Sequence, residues 1–367
     1  MRVTNELLIV ADDLTGAADC AIACVSDGLS AVVVLNAAAA GEHADVVAID
    51  ADTRRMPAAQ AAAETARIVQ TLGQNGRLLF QKIDSTLRGN IGAEVAAALS
   101  ARRCMDRSAV VVMAPAFPAT GRTTVGGRQH VKGMPLPERA DIGELLEQAG
   151  LRTARIDLDC VRRGSTICGA GYDALVFDAE TDQDLSAIAA RAVSLGRATV
   201  WVGSAGLARQ LPRAAGLQRA PKPVNVAPAK GPLVFVVGSP SPVSREQADA
   251  LAREPGVEVI RDPKAPLLAE ALARGRDVLL LLDNSSQAGG VAPFLDAIGG
   301  FVFTGGETAR EALESIGVGA LRLAREIEPG VALSVTLGAR EMPVITKAGA
   351  FGECETLVRC RAAMRNL

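Results

Sequence analysis

Short apolar runs alternate with longer Ala-rich stretches along most of the chain. Leu7–Ala11, Ala31–Leu35, Val46–Ile49, Leu78–Ile83 and Ala109–Ala114 have strand length. Runs such as LLIV and VVVM are apolar at every position, as strands covered on both faces must be. Between them Thr15–Ser26, Ala58–Leu72 and Ile91–Ala101 read as helices. This alternation predicts a parallel sheet covered by helices. The pattern stops over Pro115–Pro137, a Pro- and Gly-rich segment that reads as one long loop. It resumes with a helix near Ile142–Gln148 and strands near Ala174–Phe177 and Thr199–Val202, with a helix between those strands.

A second break, Pro212 to Pro232, holds five of the 18 prolines and marks a linker. Beyond it Leu233–Val237, Val278–Leu282 and Phe301–Phe303 read as strands, and Ser244–Arg253, Pro266–Ala273 and Thr308–Ile316 as helices. The chain thus reads as α/β, with two domains at 1–215 and 233–367 joined by a linker at 216–232. Each domain is expected to be a mostly parallel sheet flanked by helices.

Composition removes several function classes. Aromatic residues are 3% of the chain, too few for a platform that stacks bases. A net charge of -2 gives no electrostatic claim on nucleic acid or on an anionic membrane. No apolar run approaches the ~20 residues of a spanning helix. The acidic pair after LLIVA interrupts any signal-peptide core that would follow Met1–Asn5. Seven scattered Cys with no CxxC, and only two His, give little support to a zinc site. They fit reduced thiols in the cytoplasm.

Polar clusters sit where the strands end. Asp12 and Asp13 follow the first strand, at the edge where open α/β sheets bind ligands. They suit a metal, a sugar hydroxyl or a base, and equally a helix cap. Arg54 or Arg55, after the third strand, suits a bidentate carboxylate clamp, or an exposed pair. A strand ends at Lys82, Ile83 and Asp84, and Ser85, Thr86, Arg88, Gly89 and Asn90 form a polar turn before a helix, whose N-terminus favours an anion. The bland alternative is a capping turn with Lys82 and Arg88 solvated or paired to Glu94. Arg122, Arg128, His130 and Lys132 would make the long loop a lid carrying a base or a phosphate ligand, or be simply solvated.

The second domain carries glycine turns instead. Gly238–Ser239 follows a strand, Gly305–Gly306 joins a strand to a helix, and Gly349 and Gly352 follow Lys347. Glycines there let backbone N–H groups approach a phosphate, although tight turns also use them for shape alone. Neither G-x-x-x-x-G-K-[ST] nor G-x-G-x-x-G is present.

In order, ADDLTGA, KIDSTLRGN, APAFPATGRTT, GMPL, GSPS, TGGETA, EIEPG and KAGAFG resemble the four-carbon acid sugar kinase family over nearly the whole chain. The resemblance implies an N-terminal acid-sugar domain, a C-terminal nucleotide domain and an active site in the cleft between them. It implies phosphorylation of the terminal 4-hydroxyl of D-threonate, D-erythronate or a 3-oxo-tetronate, with D-threonate first. Asp12, Arg54, Lys82, Ile83, Asp84, Ser85 and Arg88 would bind the acid, Lys82 and Arg54 fixing its carboxylate. The proton acceptor would be Asp12, Asp13 or Asp84, with His130 also open. Ser239, Gly305, Gly306, Glu307, Thr308, Lys347 and Gly349 would bind ATP. Mg²⁺ is implied by phosphoryl transfer, with its ligands unassigned. A homo-oligomer is compatible with all of this. The stretch from GSPS to TGGETA is shorter than the family pattern, which keeps an alternative in play: a non-catalytic sugar-acid sensor with a degenerate nucleotide domain. A phosphatase-like hydrolase would need D-x-D-x-T, which is absent.

Overall fold

The computed structural model describes residues 6–35, 44–74, 76–136, 141–165, 167, 169–261, 265–338 and 340–366. The chain divides into two compact units at Pro221/Lys222, except that Val32–Leu35 group with the second.

In chain order the elements begin β1 (Leu7–Ala11), α1 (Leu14–Val25), β2 (Ala31–Val34), β3 (Val46–Asp50), α2 (Ala58–Leu72), β4 (Leu78–Lys82), α3 (Ile91–Arg103) and β5 (Val111–Ala114). They continue with β6 (Arg122–Val125), β7 (Arg128–Val131), β8 (Met134–Pro135), α4 (Ile142–Glu147), β9 (Thr153–Ile156), α5 (Leu158–Arg163), β10 (Ala174–Phe177), α6 (Asp182–Ala192), β11 (Val200–Gly203) and α7 (Ala205–Ala214).

In the first unit the strands lie in the order β3-β1-β4-β11-β5-β10-β9, all parallel. The continuous apolar runs are buried on both faces, with Phe80, Phe177 and Trp201 fully enclosed. Parallel pairing brings the carboxyl ends of neighbouring strands to one edge, which fixes where the polar turns gather.

The segment expected as one long loop is instead a three-stranded antiparallel sheet, β6-β7-β8, up to the last described residue, Leu136. Pro137 lies outside the described residues. Two tight turns make this sheet. Gly126–Gly127 (φ 59° and 73°) and Lys132–Gly133 (φ 50° and 80°) each place two consecutive residues at positive φ. Such turns match the twist of a hairpin. The signal was two glycine turns among short alternating stretches, masked by the density of Pro and Gly around them.

The second unit adds β12 (Leu233–Val237), α8 (Pro242–Ala252), β13 (Val257–Ile260), α9 (Ala265–Ala273), β14 (Asp277–Leu281), β15 (Gly300–Thr304), α10 (Gly306–Ser315), β16 (Ala320–Glu328), β17 (Val331–Leu337), β18 (Pro343–Lys347) and α11 (Thr356–Arg365). Strands β13-β14-β12-β15-β18 are parallel. β17 and β16 then continue antiparallel, and Val32–Val34 of β2 pair antiparallel with Ala320–Arg322. One face of the sheet packs Phe235, Val302, Leu333 and Ile345 against Leu251 of α8 and Leu357 and Met364 of α11.

Candidate active site

The first cluster is built by register. Ala11, the last residue of β1, lies opposite both Asp50 of β3 and Lys82 of β4. The turns that follow these strands therefore start at one level, and their side chains converge. Asp13 caps α1, its carboxylate accepting from Gly16 N at 2.8 Å and from the Thr15 hydroxyl at 3.0 Å. Asp12, just before it, is buried.

Arg54 joins the two. Its Nε and Nη2 donate to Asp12 at 2.6 and 2.9 Å, and its Nη1 donates to Asp13 at 2.6 Å. Nη2 also lies 3.8 Å from Asp84. Arg55 is exposed, so the structure separates two arginines that were equivalent in the sequence. Asp84 accepts from Arg88 Nε and Nη2 at 2.7 and 2.9 Å and from the Thr86 hydroxyl. Arg88 is thus partnered by Asp84, not Glu94.

Lys82 is buried and donates to the Ile83 carbonyl at 2.9 Å. Its ammonium stands against the first turn of α1, where a Cβ on Gly16 would come within 2.7 Å of Nζ and 2.6 Å of Asp13 Oδ1. Only glycine allows that approach. Ile83 and Ser85 are buried, and the Ser85 carbonyl accepts from Gln129 Nε2 at 2.9 Å.

Burial sets the charges of this cluster apart. It pushes the Asp12 carboxyl above its usual range, with Asp13 adding to the rise, despite Arg54 and Lys82. Burial also acts on Asp13, but Arg54 and Lys82 outweigh it and hold that carboxyl low. For Asp84 the loss of water is outweighed by Arg88 and Arg54, which keep it well below the carboxylate range. Burial works against the Lys82 ammonium too, yet Asp12 and other neighbours raise its pKa and keep it charged. Asp12 is therefore the member of the acidic pair disposed to take a proton.

Thr53 and Gln129 carried little signal of their own, whereas Asn90, Arg122 and His130 stand in segments the sequence singles out. Thr53 donates its hydroxyl to Glu94, and Asn90 Nδ2 donates to the carbonyls of Thr53 and Met56 at 3.1 and 2.8 Å. Arg122 on β6 is buried and acts electrostatically on Asp84 and Arg88. Gln129, on β7, ties the small sheet to the Ser85 turn. His130 is half-buried on β7, its Nδ1 3.0 Å from the Arg128 carbonyl.

The second cluster belongs to the other unit and is mostly backbone. Gly238 follows β12, Gly305 (φ 104°) precedes α10, and Gly349 follows β18. A Cβ on Gly238 would lie 2.3 Å from Thr308 Oγ1, and one on Gly349 would lie 1.9 Å from Ser239 Oγ. The Ser244 hydroxyl donates to the Gly349 carbonyl at 2.8 Å. The N-cap of α10 is Gly305, which has no side chain to cap the helix, and a helix start favours an anion. Gly306, Glu307 and Thr308 form that first turn.

Lys347 ends β18 on the same strand face as Ile345, which packs in the α8/α11 core. Its ammonium is buried, has no hydrogen-bond partner, and is pushed down to about 8 by burial, against the pull of Cys360 and Glu328. The sequence grouped Lys347 with the glycine turns, whereas its side chain enters the apolar core.

Among the described residues, no group of three or more His, Cys, Asp or Glu is arranged to hold a metal. Among them, also, no helix is long and apolar enough to cross a membrane.

Residues 7–211 match the family model described as the sugar-binding N-terminal domain, and residues 284–357 match the nucleotide-binding C-terminal domain. The D-threonate kinase of Cupriavidus necator is 40% identical over 97% of this chain and 97% of its own. The 3-oxo-tetronate kinase of the same organism is 30% identical over 94% of this chain and 93% of its own. The crystal structure of a Haemophilus influenzae protein shares the fold, with a TM-score of 0.74 over 98% of this chain and 100% of that one, at 22% identity. The nucleotide-binding match and the kinases among the relatives set the class, an ATP-using kinase of small polar substrates. Full-length similarity narrows the class: the chain belongs to the four-carbon acid sugar kinase family.

Proposed function

We propose that this chain phosphorylates the terminal 4-hydroxyl of a four-carbon sugar acid, with D-threonate as the preferred substrate. The preference follows the 40% identity to a D-threonate kinase over the full length of both chains. The observation that carries the chemistry is Asp12, buried at the end of β1 and held across both oxygens by Arg54.

Asp12 takes the proton from the 4-hydroxyl as that oxygen attacks the γ-phosphorus of ATP, the bond from that phosphorus to the bridging oxygen breaks, and ADP leaves. Arg54 keeps the carboxylate aimed, and Asp13 and Asp84 hold Arg54 in turn. With all three guanidinium nitrogens engaged by Asp12 and Asp13, Arg54 is assigned to positioning, and the substrate carboxylate to Lys82 and to Arg88, which Asp84 engages through Nε and Nη2. Among the described residues Lys82 has one hydrogen-bond acceptor, the Ile83 carbonyl, and three protons to donate. Ile83 and Ser85 shape the turn that carries these groups.

The glycine cradle fits the phosphates of ATP. Gly238, Gly305 and Gly349 leave the space that side chains would fill, and Gly306, Glu307 and Thr308 lie in the first turn of α10. Ser239 and Ser244 stand beside Gly349. Mg²⁺ would be held here mainly by the phosphate oxygens of ATP, as this ion commonly is, with no protein ligand assigned to it. When bound it neutralises the β- and γ-phosphate charge. Cys20, Cys24, Cys104, Cys160, Cys354 and Cys360 are free, which supports work in a reducing cytoplasm.

The test is ADP release with Mg-ATP against D-threonate, D-erythronate, L-threonate and 3-oxo-tetronates. Turnover with D-threonate exceeding the others is expected. Turnover only with another acid overturns the preference, and acid binding without turnover favours a sensor.

A further inference from the structure

Arg54 reaches Asp12 and Asp13 from a turn that is itself under constraint. Asp52, two residues earlier, has φ 52°, a left-handed conformation rarely adopted by non-glycine residues. A turn of this kind persists where its surroundings hold it. The holding groups come from the start of α3, one helical turn apart. Asn90 donates to the carbonyls of Thr53 and Met56, on either side of Arg54. Glu94, buried in the first turn of α3, accepts the hydroxyl of Thr53.

The same helix start also governs the other substrate turn, because residues 84–89 lead directly into it. Gly89 (φ 92°) comes so close that a Cβ there would lie 3.4 Å from Asp12 Oδ2 and 3.6 Å from Arg54 Cγ. The N-terminus of α3 is thus the point at which both turns are fixed relative to Asp12.

We propose that Thr53 and Glu94 form a positioning pair, joined by the Thr53 hydroxyl, that sets the Arg54 guanidinium on Asp12. The inference rests on the kinase reading of the site. Neither residue is assigned a contact with substrate. Their effect runs through Arg54 to the orientation of the Asp12 carboxylate, where a displacement of about 1 Å is enough to slow a positioned reaction about 100-fold.

The experiment is a double-mutant cycle on the full chain, read as kcat and KM for the sugar acid and for ATP. Thr53→Val keeps the shape and removes the hydroxyl. It is expected to lower kcat by about 10- to 100-fold with the KM for ATP unchanged. Thr53→Ser restores the hydroxyl and most of the rate. Glu94→Ala lowers kcat similarly, and the Thr53→Val/Glu94→Ala double variant falls no further, because either change breaks the same link. Should Glu94→Ala fail to fold, Glu94→Gln, which can still accept the hydroxyl, is expected to retain kcat within a few-fold.

A folded Thr53→Val enzyme with wild-type kcat overturns the pair, as do additive losses in the double variant. A rate lost in Thr53→Val and not recovered in Thr53→Ser also overturns it. The kinase reading stands or falls separately, on wild-type turnover and its loss in Asp12→Asn.

Discussion

Arg54 spans both oxygens of Asp12, with Nε at 2.6 Å and Nη2 at 2.9 Å, and still reaches Asp13 with Nη1. A planar fork does this and a lysine does not. Arg54→Lys is therefore expected to keep much of the charge and lose the alignment. In steady-state kinetics kcat should fall by about 10- to 100-fold, with the KM for ATP little changed. Arg54→Ala leaves the buried Asp12 without its main partner and is expected to cost about 3 kcal/mol of stability as well. Wild-type kcat in a folded Arg54→Lys enzyme would remove the alignment role.

Asp12→Asn is expected to cut turnover about 100- to 10,000-fold, the range for loss of a general base. ATP binding, measured calorimetrically, should stay near wild type, because the glycine cradle is elsewhere in the chain. Asp13→Asn should lose less, since Asp13 is held low and serves as cap and as a partner to Arg54.

Glu94 has a pH signature of its own. Burial lifts its carboxyl to about 7 from an ordinary 4.5, with Asp12 adding to the rise against the Thr53 hydrogen bond and Arg54. The folded chain then holds more protons than the unfolded chain between those values, so this group's stability contribution falls as pH rises through that window. Glu94→Gln removes the effect. Its melting temperature should match wild type near pH 4.5 and exceed it increasingly toward pH 7–8. Parallel melting curves across the range would contradict this.

Lys347 runs the other way. Its folded value near 8 lies below the ordinary 10.5, so the destabilisation is fully present below about pH 8 and fades as pH rises to 10.5. Lys347→Met should raise stability at pH 7, by an amount on the order of 2–3 kcal/mol, and lose that advantage by pH 10.5. An unchanged KM for ATP in this variant would keep the side chain out of the nucleotide site, whereas a large rise would return it there.

Gly349→Ala forces a methyl against Ser239 Oγ, and its effect should be confined to the nucleotide. About a tenfold rise in the KM for ATP, equivalent to roughly 1.4 kcal/mol, with the KM for sugar acid unchanged, is the expected outcome. Adding Ser239→Gly should recover part of it.

The parallel strands and the strand-end turns were legible because they depend on local pattern. Leu7–Ala11 and Ala174–Phe177 occur as read, and Ala58–Leu72 is a helix at those bounds. Asp12, Arg54, Lys82 and Asp84 converge because register, not sequence proximity, carries their turns to one edge. What stayed hidden depends on long-range pairing. Arg322, Arg325, Glu326 and Glu328 break the apolar pattern of β16, so a nine-residue strand left no run to find. The bond from Thr53 to Glu94 joins positions 41 residues apart, and nothing local distinguishes this threonine from any other. Lys347 looked like a phosphate ligand from its neighbours, but strand alternation sends its side chain into the core.

Val32–Val34 complete the sheet of the second unit by pairing with Ala320–Arg322. One unit is therefore assembled from residues near both ends of the chain, and a ribosome makes those segments at widely separated times. The early segment waits, unpaired on this side, until Ala320–Arg322 have emerged. A fragment starting at Lys222 would lack that segment and present β16 as a bare edge, a template for pairing with other chains. Splitting the gene at the proline-rich segment would therefore give a sticky, incomplete second half.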